Sequence, residues 1–191
     1  MGNTVGSLTQ VQKSIIIGSL LGDGYLRIMP GRKDAFLEIN HSISEKDYVD
    51  WKYRKLRSIV KSSPKQRNGK GVRVAYRFFT RQNPELTKLH SRFYSDRIKI
   101  IPNIKFNPLI LAIWFMDDGN KTYKTYYLNT QRFDHLSQKK LIQALKKQYG
   151  IDSTLNRDKK YYRIRIKQSS ARKFEKLIRV YVIPTMKYKL G

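Results

Sequence analysis

The chain contains no cysteine. That excludes disulfides, thiolate–zinc sites and thiol catalysis. Its three histidines, His41, His90 and His135, are scattered without metal-ligand spacing and read as ordinary surface or packing residues. No apolar run approaches the roughly 20 residues that span a bilayer. The stretch Met1–Gly6 has no secretory apolar region, and position six is not the Ser or Thr that a myristoylation motif wants. A soluble, intracellular protein with no membrane partner is expected. Acidic residues are also scarce. Fourteen Asp and Glu stand against forty Lys and Arg, leaving +26 over 191 residues. Such a charge opposes compaction by self-repulsion and calls for a polyanion as partner. The excess is spread over the whole chain instead of one tail, so a merely solvated basic surface is a poor explanation. On charge alone a ribosomal or RNA-binding protein also fits. At 40% apolar content the chain can bury a sizeable core without staples.

One phrase occurs twice. Gly18-Ser19-Leu20-Leu21-Gly22-Asp23-Gly24 closes one apolar run and Ile113-Trp114-Phe115-Met116-Asp117-Asp118-Gly119 closes another, half a chain length further on. The chain therefore reads as two copies of one unit. In the first copy, Ser7 and Thr9 are each followed three residues later by a glutamine, the capping-box spacing. A helix then runs to Gly22-Asp23-Gly24, with Gly24 expected in the left-handed C-terminal cap. Strands are expected at 25–29 and 35–42 around a Pro30-Gly31 turn, and a helix at 45–60. Asn68-Gly69 marks a hairpin into a strand at 72–80, and a helix follows at 84–94. In the second copy Asn107 is an N-cap with Pro108 at the first helical position. Strands are expected at 121–124 and 126–133, a helix at 137–149 stopped by Gly150, strands at 154–157 and 161–168, and a last helix at 171–181. Each half is α-β-β-α-β-β-α. The expected boundaries are a tail at 1–8, a first half at 9–102, a connector at 103–107 and a second half at 108–191. Asn40-His41-Ser42 parallels Asn129-Thr130-Gln131, and Ile101-Pro102 parallels Ile183-Pro184.

Gly18 and Gly22, four apart, make a small-residue groove on the first motif helix, so the two motif helices are expected to pack closely with their C-termini side by side. Asp23 and Asp118 then sit where unpaired carbonyls already carry partial negative charge. A divalent cation that binds carboxylate and phosphate together resolves the conflict, and two such ions can position water and stabilise a leaving oxygen. As turn residues before glycine, either aspartate alone would be unremarkable; the duplication makes that explanation weak. The strands supply a second constellation. Arg163, Arg165 and Lys167 share one parity, as do Arg73, Arg77 and Arg81, Tyr127, Asn129 and Gln131, and Glu38, Asn40 and Ser42. A β-ribbon fits the DNA major groove, where such side chains pair with base edges or grip phosphate. Taken singly, each is an exposed sheet residue. Lys52, Arg54, Lys55, Arg57, Lys139, Lys140, Lys146 and Lys147 read as plain solvated helix faces, and Trp114, Phe115 and Met116 as core.

Over Thr9–Leu190 the chain resembles the single-chain, two-motif LAGLIDADG homing endonucleases of the intron-encoded type. The nine-residue motif aligns on Ile16–Gly24 and Leu111–Gly119. The resemblance implies an α+β fold of two pseudo-symmetric αββαββα halves with saddle-shaped antiparallel sheets, packed through the two motif helices. It implies a monomer that cuts both strands of a long, asymmetric double-stranded DNA target with Mg2+, leaving 3′ cohesive ends. Mn2+ is expected to substitute, and Ca2+ to bind without efficient cleavage. Asp23 and Asp118 are then the metal-binding acids, with Gly22 and Asp117 assigned to the same metal sites. The family's basic residue near each metal falls on Lys99 and Lys189, whose alternative role is phosphate binding. The second motif departs from the pattern, with Ile113 and Asp117 in place of the small residues at Gly18 and Gly22, so close packing would be asymmetric. The alternative function on the same scaffold is an RNA maturase bound to its host intron RNA; a non-catalytic DNA-binding regulator is a third. A mitochondrion, a chloroplast or a prokaryotic cytoplasm would each fit.

Overall fold

The computed structural model describes residues 7–69 and 72–191. The chain divides into two compact units, one ending at Ser91 and the other spanning Arg92–Gly191. The stretch 92–102, expected to close the first half, thus groups with the second: the Ile101 N–H donates to Ser137 Oγ at 3.3 Å.

In the first unit, α1 (Gln10–Leu21) opens on Thr9 with a complete capping box to Gln12. Just ahead of it, Leu8, expected in a tail, is buried, and its N–H donates to Glu85 Oε1 at 2.6 Å. Next come β1 (Tyr25–Arg27) and β2 (Phe36–Ser42), then α2 (Lys46–Leu56), β3 (Lys65–Asn68), β4 (Val74–Phe79) and α3 (Pro84–Phe93). The strands form one antiparallel sheet in the order β1-β2-β4-β3. The β1–β2 connection turns at Pro30-Gly31: the Arg32 N–H donates to Met29 O, and Gly31 takes φ +71°, a conformation that suits glycine. Inward residues Leu37, Ile39, Tyr76 and Phe78 alternate along β2 and β4 and are buried with Tyr48, Val49 and Leu56 of α2.

The second unit starts with a two-stranded ribbon, β5 (Tyr94–Ser95) and β6 (Ile98–Lys99). It turns at Asp96 and Arg97, both at positive φ. Then α4 (Pro108–Asp118), β7 (Gly119–Thr122), β8 (Thr125–Leu128), α5 (His135–Tyr149), β9 (Ser153–Asp158), β10 (Tyr161–Ile166) and α6 (Gln168–Ile178) repeat the first unit's order. The sheet order, β7-β8-β10-β9, repeats as well. Asn107 caps α4 with its side chain on the Ile110 N–H, and Gly150 ends α5 in the left-handed region. Phe115, Tyr126 and Phe174 meet as an aromatic cluster between α4, β8 and α6. Burial, reinforced by donation to Glu175 Oε2, pushes the Tyr126 hydroxyl far above its ordinary range. After α6 the chain continues as 3-10 turns at Arg179–Tyr181 and Pro184–Leu190. Among the described residues no helix is long and apolar enough to cross a membrane.

Two expectations fail for physical reasons. Gly24 does not take a left-handed cap; Gly22 is the C-cap, at φ −109°. Gly24 is held by its N–H on Ser19 O at 2.7 Å, and a Cβ there would lie 2.8 Å from that same oxygen. Close approach, not handedness, selects glycine. The strand expected to reach Phe133 stops at Leu128. Thr130 is drawn inward, where Gln138 Nε2 donates to its carbonyl at 2.8 Å and to its hydroxyl at 3.2 Å.

Gly119 makes the same kind of approach in the second motif, where a Cβ would fall 2.6 Å from Phe115 O and closer still to its ring. At Gly31 a Cβ would meet nothing within 4 Å. Gly119→Ala should therefore destabilise by about 1–3 kcal/mol through overpacking, and Gly31→Ala by about 1 kcal/mol through backbone strain alone. Urea denaturation of the two variants checks the order.

Candidate active site

Asp23 follows the C-cap of α1, and Asp118 is the last residue of α4. Each is half-exposed and stands at the end of a helix that is largely buried. The carbonyls of that last turn are the negative pole of the helix dipole. Their geometry is held by the chain that follows: Gly22 donates to Gly18 O and Ser19 O, Gly119 donates to Phe115 O, and Asn129 N–H reaches back to Asp118 O at 2.8 Å.

The surroundings of the two acids differ. At the second, Lys189 Nζ donates to Met116 O at 2.5 Å and Asp117 O at 3.2 Å. An ammonium thus covers the carbonyl end of α4 beside Asp118, and the final 3-10 turn carries it there. Asp117 itself is buried. At the first acid, His41 Nδ1 stands 3.7 Å from Asp23 Oδ2 and 2.9 Å from Glu45 Oε2. Behind His41 lies Lys52, fully buried, not solvated as expected. The other helix cations expected to be solvated are exposed. Lys99 is on β6, paired with Tyr94 in the second unit's ribbon.

Both acids offer oxygen alone, as a hard divalent cation prefers. Among the described residues no three His, Asp or Glu side chains gather into a group able to hold a metal by themselves. The donor set thus fits Mg2+ whose shell is completed by phosphate oxygens and water, the usual way that ion is held.

The outward rows of the two sheets follow the parity read from the sequence, within shorter strands. Across β2 and β4, Asn40 faces Arg77 and Glu38 faces Phe79, while Lys65 faces Arg77 from β3. Glu38 is buried at 7% exposure, because Arg27 Nε at 3.0 Å and Arg77 Nη1 at 3.7 Å enclose it; it braces those arginines. Asn40 is exposed and Ser42 half-exposed, and Arg73 and Arg81 flank β4 and are exposed. In the second sheet Arg165 faces Tyr127. Arg163 stacks over the Tyr127 ring at 4.0 Å, donates to Asn129 Oδ1 at 3.4 Å, and Asn129 in turn bonds Asn120. Gln131 lies in the turn after β8, not on a strand, and bonds Asp158 Oδ2 at 2.8 Å. Lys167 is the exposed N-cap of α6. At the start of α5 the backbone N–H and hydroxyl of Ser137 donate to the N-cap Asp134 and hold its carboxyl below the usual range.

Sequence reasoning missed Asn120, His41, Glu45 and Lys52. The last had a signal: Tyr48, Lys52 and Leu56 are spaced four apart and share the buried face of α2. Lys189→Met removes a charged donor from two helix-end carbonyls and should lower stability by about 1–2 kcal/mol, read in urea denaturation against Lys187→Met, whose side chain is exposed.

The profile of the LAGLIDADG DNA endonuclease family matches residues 13–174. The cytochrome b mRNA maturase bI2 of Saccharomyces cerevisiae is 30% identical, over 100% of this chain and 50% of that protein. The probable intron-encoded endonuclease 1 of Wickerhamomyces canadensis is 30% identical, over 96% of this chain and 85% of its own length. The chain therefore spans only half the length of the yeast relative. Among solved structures, the homing endonuclease I-WcaI bound to its DNA recognition sequence is similar with a TM-score of 0.91 and 27% identity, covering 97% of this chain and 88% of that one. With a motif acid closing a helix in each unit and one sheet order repeated in both, the chain belongs to the LAGLIDADG DNA endonuclease family.

Proposed function

We propose that this chain is a site-specific DNA endonuclease that recognises a long asymmetric duplex and hydrolyses one phosphodiester on each strand, leaving 3′ cohesive ends. The observation that carries the reading is the repeat of one arrangement: an acid at a helix C-terminus, followed by a sheet whose outward row holds Arg, Asn and Tyr. In this reading Asp23 and Asp118 each hold a divalent ion, Mg2+ in the cell, with the backbone at Gly22 and Asp117 alongside. When bound, that ion supplies charge neutralisation at the phosphate and a more acidic water.

The chain's own residues do the rest. Arg27, Arg77 and Arg163 are held by Glu38, Asn129 and Tyr127 before any partner arrives, so less freedom is lost on binding, and Arg165 is exposed beside them. Asn40, Ser42, Asn129 and Gln131 offer hydrogen bonds to base edges in the major groove. Arg73, Arg81 and Lys167, exposed at strand ends, suit phosphate. Lys189 offsets negative charge at the α4 terminus, and Lys99, on β6, is assigned as the second basic residue. Both acids lie in one chain, so the active form is a monomer. An organelle or a prokaryotic cytoplasm suits a product of an intron.

A second reading draws on the name of the yeast relative: the same scaffold binds its host intron RNA and assists splicing.

The test is incubation of a randomised duplex library with Mg2+, followed by sequencing of cut ends. The nuclease reading expects one long sequence to be enriched, cut on both strands. Asp23→Asn and Asp118→Asn should each abolish double-strand cleavage while retaining binding to the selected duplex. Retained cleavage in those variants would contradict the site assignment. No cleavage, with tight binding to structured RNA, would favour the maturase reading.

A further inference from the structure

The first unit holds a buried charged cluster where the second holds a neutral one. His41 is on the inward face of β2, 4% exposed. Its ring meets Tyr48 edge-on at 5.4 Å. Lys52 Nζ lies 4.3 Å over the Tyr48 ring and 3.5 Å from His41 Nε2. An ammonium can only donate. Lys52 therefore assigns Nε2 as the acceptor and leaves the ring hydrogen on Nδ1. That hydrogen points to Glu45 Oε2 at 2.9 Å, with Asp23 Oδ2 next at 3.7 Å. The parallel Asn40-His41-Ser42 and Asn129-Thr130-Gln131 segments put Thr130 at the equivalent place. There Gln138 Nε2 donates to Thr130 and to Tyr162 O, an uncharged network, and the α4 terminus carries Lys189 instead.

We infer that His41, held by Lys52 and Glu45, is a positioning residue for Asp23 and makes the two half-sites chemically unequal. The inference rests on the endonuclease reading for its consequence: hydrolysis of one strand depends on His41 and Lys52, hydrolysis of the other on Lys189. With its one N–H given to Glu45, the imidazole stands 3.7 Å from Asp23 Oδ2 and narrows the rotamers of that carboxylate by contact, as outer-shell groups do at metal sites.

Two measurements test it. The first needs no cleavage. Two-bond proton–nitrogen spectra of the metal-free full chain should show His41 protonated at Nδ1 and bare at Nε2, and Lys52→Met should shift the His41 ring nitrogens. An Nε2–H tautomer, or no response to Lys52→Met, overturns the arrangement. The second uses the duplex selected from the library, with each strand labelled differently. His41→Ala should slow one strand about 10- to 100-fold and leave the other within about twofold. His41→Asn, which keeps a donor near Nδ1, should recover part of the loss. Lys52→Met conserves volume and keeps the fold, so it should reproduce the one-strand defect if His41→Ala does not fold. Lys189→Met should slow the opposite strand. Equal slowing of both strands by His41→Ala or Lys52→Met, or no effect, overturns the proposal. If the unaltered chain cuts neither strand, the endonuclease reading fails, while the ring-nitrogen spectra still decide how His41 is presented to Asp23.

Discussion

A carboxylate at the C-terminal end of a buried helix sits against the carbonyl pole of that helix, and phosphate is then repelled by both. This chain builds that arrangement twice. Much else in the structure follows from it. The motif glycines are spent on bringing the following backbone close against the last helical turn, at Gly24 over Ser19 and Gly119 over Phe115. That contact fixes where the acids project. The surplus of positive charge across the chain supplies the general attraction that the two acidic points oppose. In the proposed function a divalent ion would reconcile carboxylate with phosphate.

The two units share a topology strand for strand, yet the chemistry around each acid has diverged. One acid stands beside a buried imidazole braced by a carboxylate and an ammonium. The other stands at a helix end covered by a lysine from the last turn of the chain. A shared fold constrains backbone geometry far more than it constrains the polar atoms placed against the site. The outward rows differ as well: Arg77 beside Asn40 in one sheet, Arg163 stacked on Tyr127 in the other.

The repeat, the helix starts at Thr9 and Asn107 and the strand parities were legible in the sequence because each depends on local rules: capping, turn chemistry and period two. The placing of Asp23 and Asp118 at helix ends was legible for the same reason. Lys52 was not, because a lysine is ordinarily solvated and only its tertiary partners, Tyr48 and His41, account for its burial. The end of β8 was not, because Thr130 answers to Gln138 on a later helix. The ribbon of β5 and β6 escaped because its turn uses Asp96 and Arg97 at positive φ, where glycine or asparagine would have signalled it. The outward face was legible as a row, but Glu38 shows the limit of parity: its neighbours Arg27 and Arg77, one on each adjoining strand, decide that it braces.

The central claim is that each acid acts through an ion that also touches the scissile phosphate. Replacing a non-bridging oxygen of that phosphate by sulfur tests it directly, because Mg2+ prefers oxygen while Mn2+ tolerates a softer donor. The account predicts that the substituted strand is cut slowly in Mg2+ and that Mn2+ restores its rate, with the unsubstituted strand unchanged in both. Equal cleavage of the substituted and natural strands in Mg2+ would contradict it.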